Sequence, residues 1–430
     1  MQRIDYPGVG ETLWFDTLPN GLKLAVALKS GYTRAYAAFT TCYGGADRRF
    51  RFGGEFIDTP MGVAHFLEHK MFDMPDGDNA LATLAANGAQ PNAYTSSGLT
   101  CYHFESTENF YDNLRELLRF VSTPYFTEES VAKEQGIIGQ EIRMGDDSPD
   151  YVIYDELMRC LYDHHPIRDS VAGTVESIAE ITPETLYRCH KIFYTPGNMA
   201  LTVAGDVDPE RVRALALEVL PAEPGEVPVS DYGPPETLLP ARPRFSKAMA
   251  VSAPQMLIGV KLTPGKRGGA LLRQKLLSGL ALQYLYGPSS PFYHRKYAEG
   301  LLNADFFVDA DDAAGTVTLL LGGETRDPEA VLAAVQAQAA AAARDFDAER
   351  FARVKKAGYG ARVRALSSFS GLCASLTDGA FGGYNAMDAF AVSAALTEQD
   401  VQAFLADSLA PERFAMSVIT PVGKEALANA

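Results

Sequence analysis

Two histidines and a glutamate fall within five positions of one another in the run Gly62-Val63-Ala64-His65-Phe66-Leu67-Glu68-His69-Lys70. On a helix, residues i and i+4 share a face, so His65 and His69 can direct both imidazoles at one ion. Glu68 lies three residues after His65, on that face, within reach of a water held there. Neutral imidazole is a good zinc ligand, and a nearby carboxylate can accept the proton when such a water attacks a carbonyl carbon. With only 7 His in the chain, a chance His-x-x-Glu-His is expected in roughly one such sequence per hundred. Two surface or capping histidines on an amphipathic helix would read the same over these few residues.

A catalytic zinc needs a third protein ligand and an open position for water. The best candidate lies in Glu134-Gln135-Gly136-Ile137-Ile138-Gly139-Gln140-Glu141-Ile142. Glu134 and Glu141 are two helical turns apart and share a face, with Ile137 and Ile138 largely beside it. A helix with solvated carboxylates would present the same pattern. Beside the histidine pair, the expectation is that Glu141 completes the ligand set and that Glu134 orients a ligand or tunes the water. One Zn2+ per chain is expected.

These residues need elements to hold them. Thr12–Leu18 and Leu22–Leu28 flank Pro19-Asn20-Gly21, which predicts a hairpin. Arg34–Cys42, Gln90–Thr95, Thr100–Glu105 and Met199–Ala204 read as strands. Helices are expected from Asp58-Thr59-Pro60 through Phe72, and over Asp78–Ala86, Glu108–Ser122, Thr127–Met144 and Thr182–Ile192. The second half predicts strand Met256–Leu262, helix Gly268–Tyr286, hairpin Ala304–Leu321, helices Pro328–Arg344 and Ala348–Leu366, and strand Arg413–Thr420. Its order loosely echoes the first half. Seven of the 25 prolines fall between Pro221 and Pro243, where neither a long helix nor a central strand can run. The expected division is therefore 1–220, a Pro-rich linker at 221–245, and 246–430.

The chain has 430 residues, 47% hydrophobic and 21% charged, too long for one ordinary core. Its net charge of −16 disfavours nucleic acid and anionic membranes as partners. Five cysteines form no Cys-x-x-Cys pair, which points to a reducing, cytoplasmic setting. The first residues carry no apolar signal segment, and the Ala-rich tract at Ala330–Ala343 is too short and weakly hydrophobic to span a bilayer.

Taken together, the residues resemble the pitrilysin/insulinase-type inverzincin metallopeptidases, whose relatives include mitochondrial processing peptidase. In that family a His-x-x-Glu-His helix is followed, at the spacing of Glu141 from His65, by a zinc-binding Glu, with another important Glu at the position of Glu134. Asn92-Ala93-Tyr94-Thr95 resembles the family's substrate-pairing edge strand. His165-Pro166-Ile167, Ala172-Gly173-Thr174, Tyr194-Thr195-Pro196-Gly197-Asn198-Met199 and Val203-Ala204-Gly205-Asp206-Val207 agree as well. The resemblance covers most of residues 10–215 and the second half more faintly. It implies an α+β fold of two similar α/β half-domains of the processing-peptidase (LuxS/metallohydrolase-like) type, the first carrying zinc and the second non-catalytic.

The same resemblance implies a zinc endopeptidase acting on oligopeptides or flexible segments, such as precursor or leader peptides. His65, His69 and Glu141 would bind the metal, Glu68 and Glu134 would serve catalysis, and Asn92, Ala93, Tyr94 and Thr95 would hold substrate. The family's second half carries an Arg and a Tyr that bind substrate; anchored on Gly300-Leu301, those positions here hold Lys296 and Asn303. That departure implies a heterodimer, as in processing peptidase and the short bacterial YmfH-like group, in which a paralogous subunit supplies the Arg/Tyr pair. The rival expectation is a non-catalytic structural or binding subunit of a processing-peptidase-like complex. Among the remaining signals, His164 and His165 read as loop or cap residues and His103 as a hydrogen-bonded strand residue, with a lesser prospect of lying near the cleft. The run Asp378–Tyr384 reads as a mobile connection, and Phe104, Tyr125 and Phe126 as core.

Overall fold

A computed structural model describes residues 1–75, 77–342 and 346–422. The Asn-Gly turn forms as its sequence requires. Gly21 adopts φ 83°, and the Leu18 N–H donates to the Leu22 carbonyl at 2.9 Å, closing the first long hairpin.

The chain divides into two compact units, and they are not sequential halves. The first comprises Met1–Ile142, Ser170–Tyr232 and Val363–Ala386; the second comprises Arg143–Asp169, Gly233–Arg362 and Met387–Ala430. The break between Tyr232 and Gly233 falls inside the expected 221–245 linker; what departs from the expected 1–220 and 246–430 is that each unit completes its layers with a segment from the other half of the chain, Arg143–Asp169 and Val363–Ala386.

The strands of the first unit are β1 (Gln2–Tyr6), β2 (Glu11–Thr17), β3 (Lys23–Leu28), β4 (Ala35–Thr41), β5 (Arg49–Phe52), β6 (Glu55–Asp58), β7 (Ala89–Thr95), β8 (Thr100–Ser106), β9 (Met199–Gly205) and β10 (Val229–Ser230). Seven form one sheet in the order β1-β2-β3-β9-β4-β8-β7, antiparallel except where β3 meets β9. The central β4 and β9 are buried along their whole length, as continuous small and apolar runs demand. One face packs on a core that includes Phe66, Leu67, Tyr102, Phe104, Leu114, Leu117 and Phe126. Helix Phe369–Gly382 packs on β4 and β9. The Gly-rich run expected to be a mobile connection is in part the C-terminal portion of this helix. Gly379 is needed there, since a Cβ would meet the Tyr384 carbonyl oxygen at 2.7 Å.

The linker is also more structured than expected. Its β10 pairs with β5 in a small sheet β10-β5-β6, and the Ser230 and Tyr232 hydroxyls donate to the buried Asp47 carboxylate at 2.5 and 2.8 Å.

In the second unit β11 (Arg244–Met249), β12 (Gln255–Leu262), β13 (Phe307–Asp311), β14 (Val317–Glu324) and β15 (Ala415–Pro421) form a sheet ordered β11-β15-β12-β14-β13. Helix Pro149–Leu161, absent from the sequence reading, packs against β12 and β15. Gly259 permits that approach, because a Cβ there would meet Leu161 at 2.7 Å. Helix Pro328–Ala342 matches expectation as far as it is described; the predicted end at 343–344 lies outside the described residues. Among the described residues, no helix is long and apolar enough to cross a membrane. The five cysteines, all described, form no disulfide.

Candidate metal centre and active site

The His-x-x-Glu-His run occupies helix Val63–Lys70. It starts later than the expected Asp58-Thr59-Pro60, because Gly62 sits at φ 89° and breaks the helical path. A Cβ at Gly62 would meet the Ala172 carbonyl oxygen at 2.5 Å, so glycine alone fits. Val63, Ala64, Phe66 and Leu67 anchor the helix in the core. That burial leaves His65, Glu68 and His69 together on the other face, and the two imidazole centroids lie 4.6 Å apart.

Glu134 and Glu141 come from helix Glu128–Asp146, which buries Val131, Ile138 and Gly139. His65 Nε2 lies 3.6 Å from Glu141 Oε1, and His69 Nε2 lies 3.5 Å from Glu141 Oε2. One ligand atom from each of the three residues falls within 4.8 Å of the others. Donors bonded at about 2.0–2.2 Å around a tetrahedral cation stand roughly 3.4 Å from one another, so the three side chains fit a zinc ion. Among the described residues the buried His65 Nδ1 has no hydrogen-bond partner, so Nε2 alone faces a defined group.

The groups around this set are charged and closely matched. His69 Nδ1 lies 3.0 Å from Glu134 Oε1, the arrangement by which a carboxylate orients a ligating histidine. The other Glu134 oxygen is 3.7 Å from Nζ of Lys70, a lysine only 2% exposed that also pairs with Asp73. Burial would raise the Glu134 carboxyl, but His69 and then Lys70 outweigh it and hold it below its ordinary value. Burial likewise opposes a charge on His69, yet Glu134, with Glu141 and Glu68, raises it. Burial, then the neighbouring His69, brings His65 down to about 4, which favours the neutral imidazole a metal requires.

Glu68 is 8% exposed, and its burial raises its pKa. The Thr95 hydroxyl donates to Glu68 Oε2 at 2.6 Å. Thr95 ends β7, the edge of the seven-stranded sheet, so one side of β7 pairs with β8 and the other pairs with no strand of this sheet. Ala93 packs toward the core, whereas Asn92 and Tyr94 are exposed. Asn92 Oδ1 accepts from the Ala93 N–H at 2.9 Å, covering one backbone donor of this edge strand.

The sequence reading thus placed His65, Glu68, His69, Glu134, Glu141 and Thr95 in one neighbourhood, and the fold brings them together. It missed Lys70, although a lysine directly after the second histidine was in plain view. It also missed the hold of Thr95 on Glu68, which no spacing reveals. Lys296 and Asn303 belong to the second unit, where Lys296 pairs with Glu299 at 2.8 Å and Asn303 Oδ1 accepts the Asp305 N–H at 3.1 Å. His164 and His165 are structural: their backbone N–H groups donate to Glu236, and His165 Nδ1 accepts from the Ile167 N–H. Phe104 and Phe126 are core.

Comparison with known proteins identifies the family. Residues 53–175 match the Insulinase (Peptidase family M16) domain, and residues 180–357 match the Peptidase M16 inactive domain. The chain is 36% identical over 427 residues to the uncharacterized zinc protease YmfH of Bacillus subtilis (strain 168), covering 97% of this chain and 99% of that one. Its fold is similar to a protein from Alicyclobacillus acidocaldarius described as an M16-like peptidase, with TM-score 0.91 and 33% identity over 97% of this chain and 100% of the other. A protease from Helicobacter pylori, 18% identical, shares the fold with TM-score 0.79 over 95% and 99% of the two chains. With these matches running almost end to end, the chain belongs to peptidase family M16, the insulinase family.

Proposed function

We propose that this chain is a zinc metalloendopeptidase that cleaves oligopeptides or flexible peptide segments held as an added strand on β7. One observation carries the reading: His65, His69 and Glu141 converge on one point while Glu68, beside them, is held by the last residue of an edge strand. The first three side chains would hold the metal. When bound, zinc supplies Lewis acidity, lowering the pKa of water toward ~7 and offsetting charge that develops on a carbonyl oxygen.

The protein's own groups then divide the work. Glu134 fixes the His69 ring through Nδ1, so its Nε2 stays directed at Glu141. Thr95 engages one Glu68 oxygen and leaves the other to accept a proton from the attacking water and pass it to the leaving amine. Asn92, Ala93, Tyr94 and Thr95 offer backbone groups to an extended substrate. Backbone pairing favours flexible peptides over folded proteins and demands no single side-chain sequence.

The working form we propose is the zinc-bearing subunit of a heterodimer in a reducing, cytoplasmic setting. Lys296 and Asn303 stand where the family resemblance places an Arg and a Tyr, and both are engaged locally. The five thiols outside any disulfide fit that compartment. The test is zinc analysis of the purified chain, with a quenched-peptide assay run alone and with a paralogous chain. Glu68→Gln should keep zinc and lose cleavage, while Glu141→Ala should lose zinc. A metal-free, inactive chain would leave a structural subunit as the answer, and full activity of the chain alone would remove the partner.

A further inference from the structure

A peptide strand paired to β7 presents alternate side chains to opposite faces of the sheet. One face of β7 is that of Thr95, next to Glu68. On the other face Tyr94 opposes Cys101, and Asn92 opposes His103. There a cleft of about 300 Å³ opens between the sheet and helix Phe369–Gly382, within the first unit. Its floor is made by Tyr36 of β4, His103 of β8 and Tyr94 of β7; its wall is Ser370, Gly371 and Ala374. The space exists because the helix offers only small residues at these three positions.

The floor is aromatic. The His103 ring lies between Tyr36, at 5.3 Å, and Tyr94, at 6.2 Å. Contrary to the sequence reading, the buried His103 Nδ1 has no hydrogen-bond partner among the described residues, so no bond at that atom accounts for a histidine here. Tyr94 is 44% exposed, on the unpaired edge strand itself. The cleft therefore reaches the line along which an added strand would run, on the face away from Glu68.

We propose that this cleft is a specificity subsite that takes one large aromatic side chain of the bound peptide, from a residue alternate to those facing Glu68. Stacking against His103 and the two tyrosines supplies the attraction, and the small residues of the helix supply the room. The inference rests on the strand-addition reading above and adds to it a preference: aromatic residues on the far face of the peptide.

The experiment uses the full chain, with its partner if one is required, and a quenched peptide series carrying Phe or Ala at each successive position. Wild type should favour Phe over Ala at one alternate position. Ala374→Phe, which fills the cleft from an exposed helix site, should cut that Phe-over-Ala preference about tenfold or more in kcat/KM. His103→Ala should weaken it without occluding the space. Peptide binding to Glu68→Gln, with and without Ala374→Phe, separates the two readings. If binding keeps the preference and loses it on filling, the cleft stands even where wild type cleaves nothing and the peptidase reading falls. Equal binding of Phe and Ala peptides by Glu68→Gln, or a preference untouched by Ala374→Phe, overturns the subsite.

Discussion

The Thr95 hydroxyl donates to Glu68 Oε2 at 2.6 Å, so the strand offered to substrate also grips the carboxylate assigned to move the proton. Burial raises the Glu68 pKa, and this hydrogen bond is the foremost influence lowering it again. Thr95→Val keeps the shape and removes the donor. Glu68 should then titrate higher, and because the base acts only when ionised, the acidic limb of kcat/KM should move to higher pH. Activity at neutral pH should fall about 10–100-fold with zinc content unchanged, and Thr95→Ser should restore most of it. A pH profile that does not move would show that Thr95 has no hold on the base.

Lys70 is a buried cation whose carboxylate neighbours are Asp73 and Glu134. Replacing it by Met preserves apolar bulk but leaves Glu134 without that charge, loosening the group that orients His69. Zinc affinity, measured by competition with a chromogenic chelator, should drop about 10–100-fold in both Lys70→Met and Glu134→Gln. Because both act through the same His69 contact, the double variant should be little worse than the more severe single one. Additive losses would place Lys70 outside this chain of contacts.

What could be read in the sequence divides along physical lines. The His65–His69 pair was legible because helical periodicity acts over four residues. Glu141 was legible through its two-turn spacing from Glu134 and the family likeness. The Thr95–Glu68 bond was not, since it depends on β7 pairing with β8 and on the depth at which Phe66 and Leu67 seat their helix. Helix Phe369–Gly382 escaped notice although Phe369, Leu372, Cys373 and Leu376 recur at i, i+3, i+4 and i+7, because the glycines at 379, 382 and 383 drew the reading toward a loop. The buried side chains Cys373 and Leu376 show their purpose only against β4 and β9. The interleaved units follow from the same cause: contacts between residues hundreds of positions apart leave no local pattern.

The convergence of His65, His69 and Glu141 brings a carboxylate against two imidazoles, and a divalent cation should stabilise the folded chain by binding it and not the unfolded form. At a free zinc concentration 100 times Kd the gain is about 2.7 kcal/mol, enough to raise Tm by several degrees. Calorimetry of the chelator-stripped protein with and without added zinc measures this. His65→Ala should abolish the zinc-dependent rise while Glu68→Gln should retain it. A rise that survives in His65→Ala would locate the ion elsewhere.

In the second unit, Glu236 gathers four donors. The consecutive backbone N–H groups of Asp163, His164 and His165 each donate to Oε1 at 2.9 Å, and the buried Lys261 Nζ lies 3.0 Å from Oε2. Burial would raise this carboxyl, but the three N–H groups and Lys261 prevail and bring it down from 4.5 to about 2. A depressed folded pKa means stability that is present above the unfolded value and lost as pH falls toward 2. The shift corresponds to at most about 3 kcal/mol at neutral pH. Glu236→Gln, which also strands the Lys261 charge, should cost about 2–4 kcal/mol at pH 7 by denaturant unfolding. The gap from wild type should narrow at pH 3, where wild-type Glu236 has itself begun to lose its advantage. An equal gap at both pH values would mean that the carboxylate charge contributes nothing and only its shape is used.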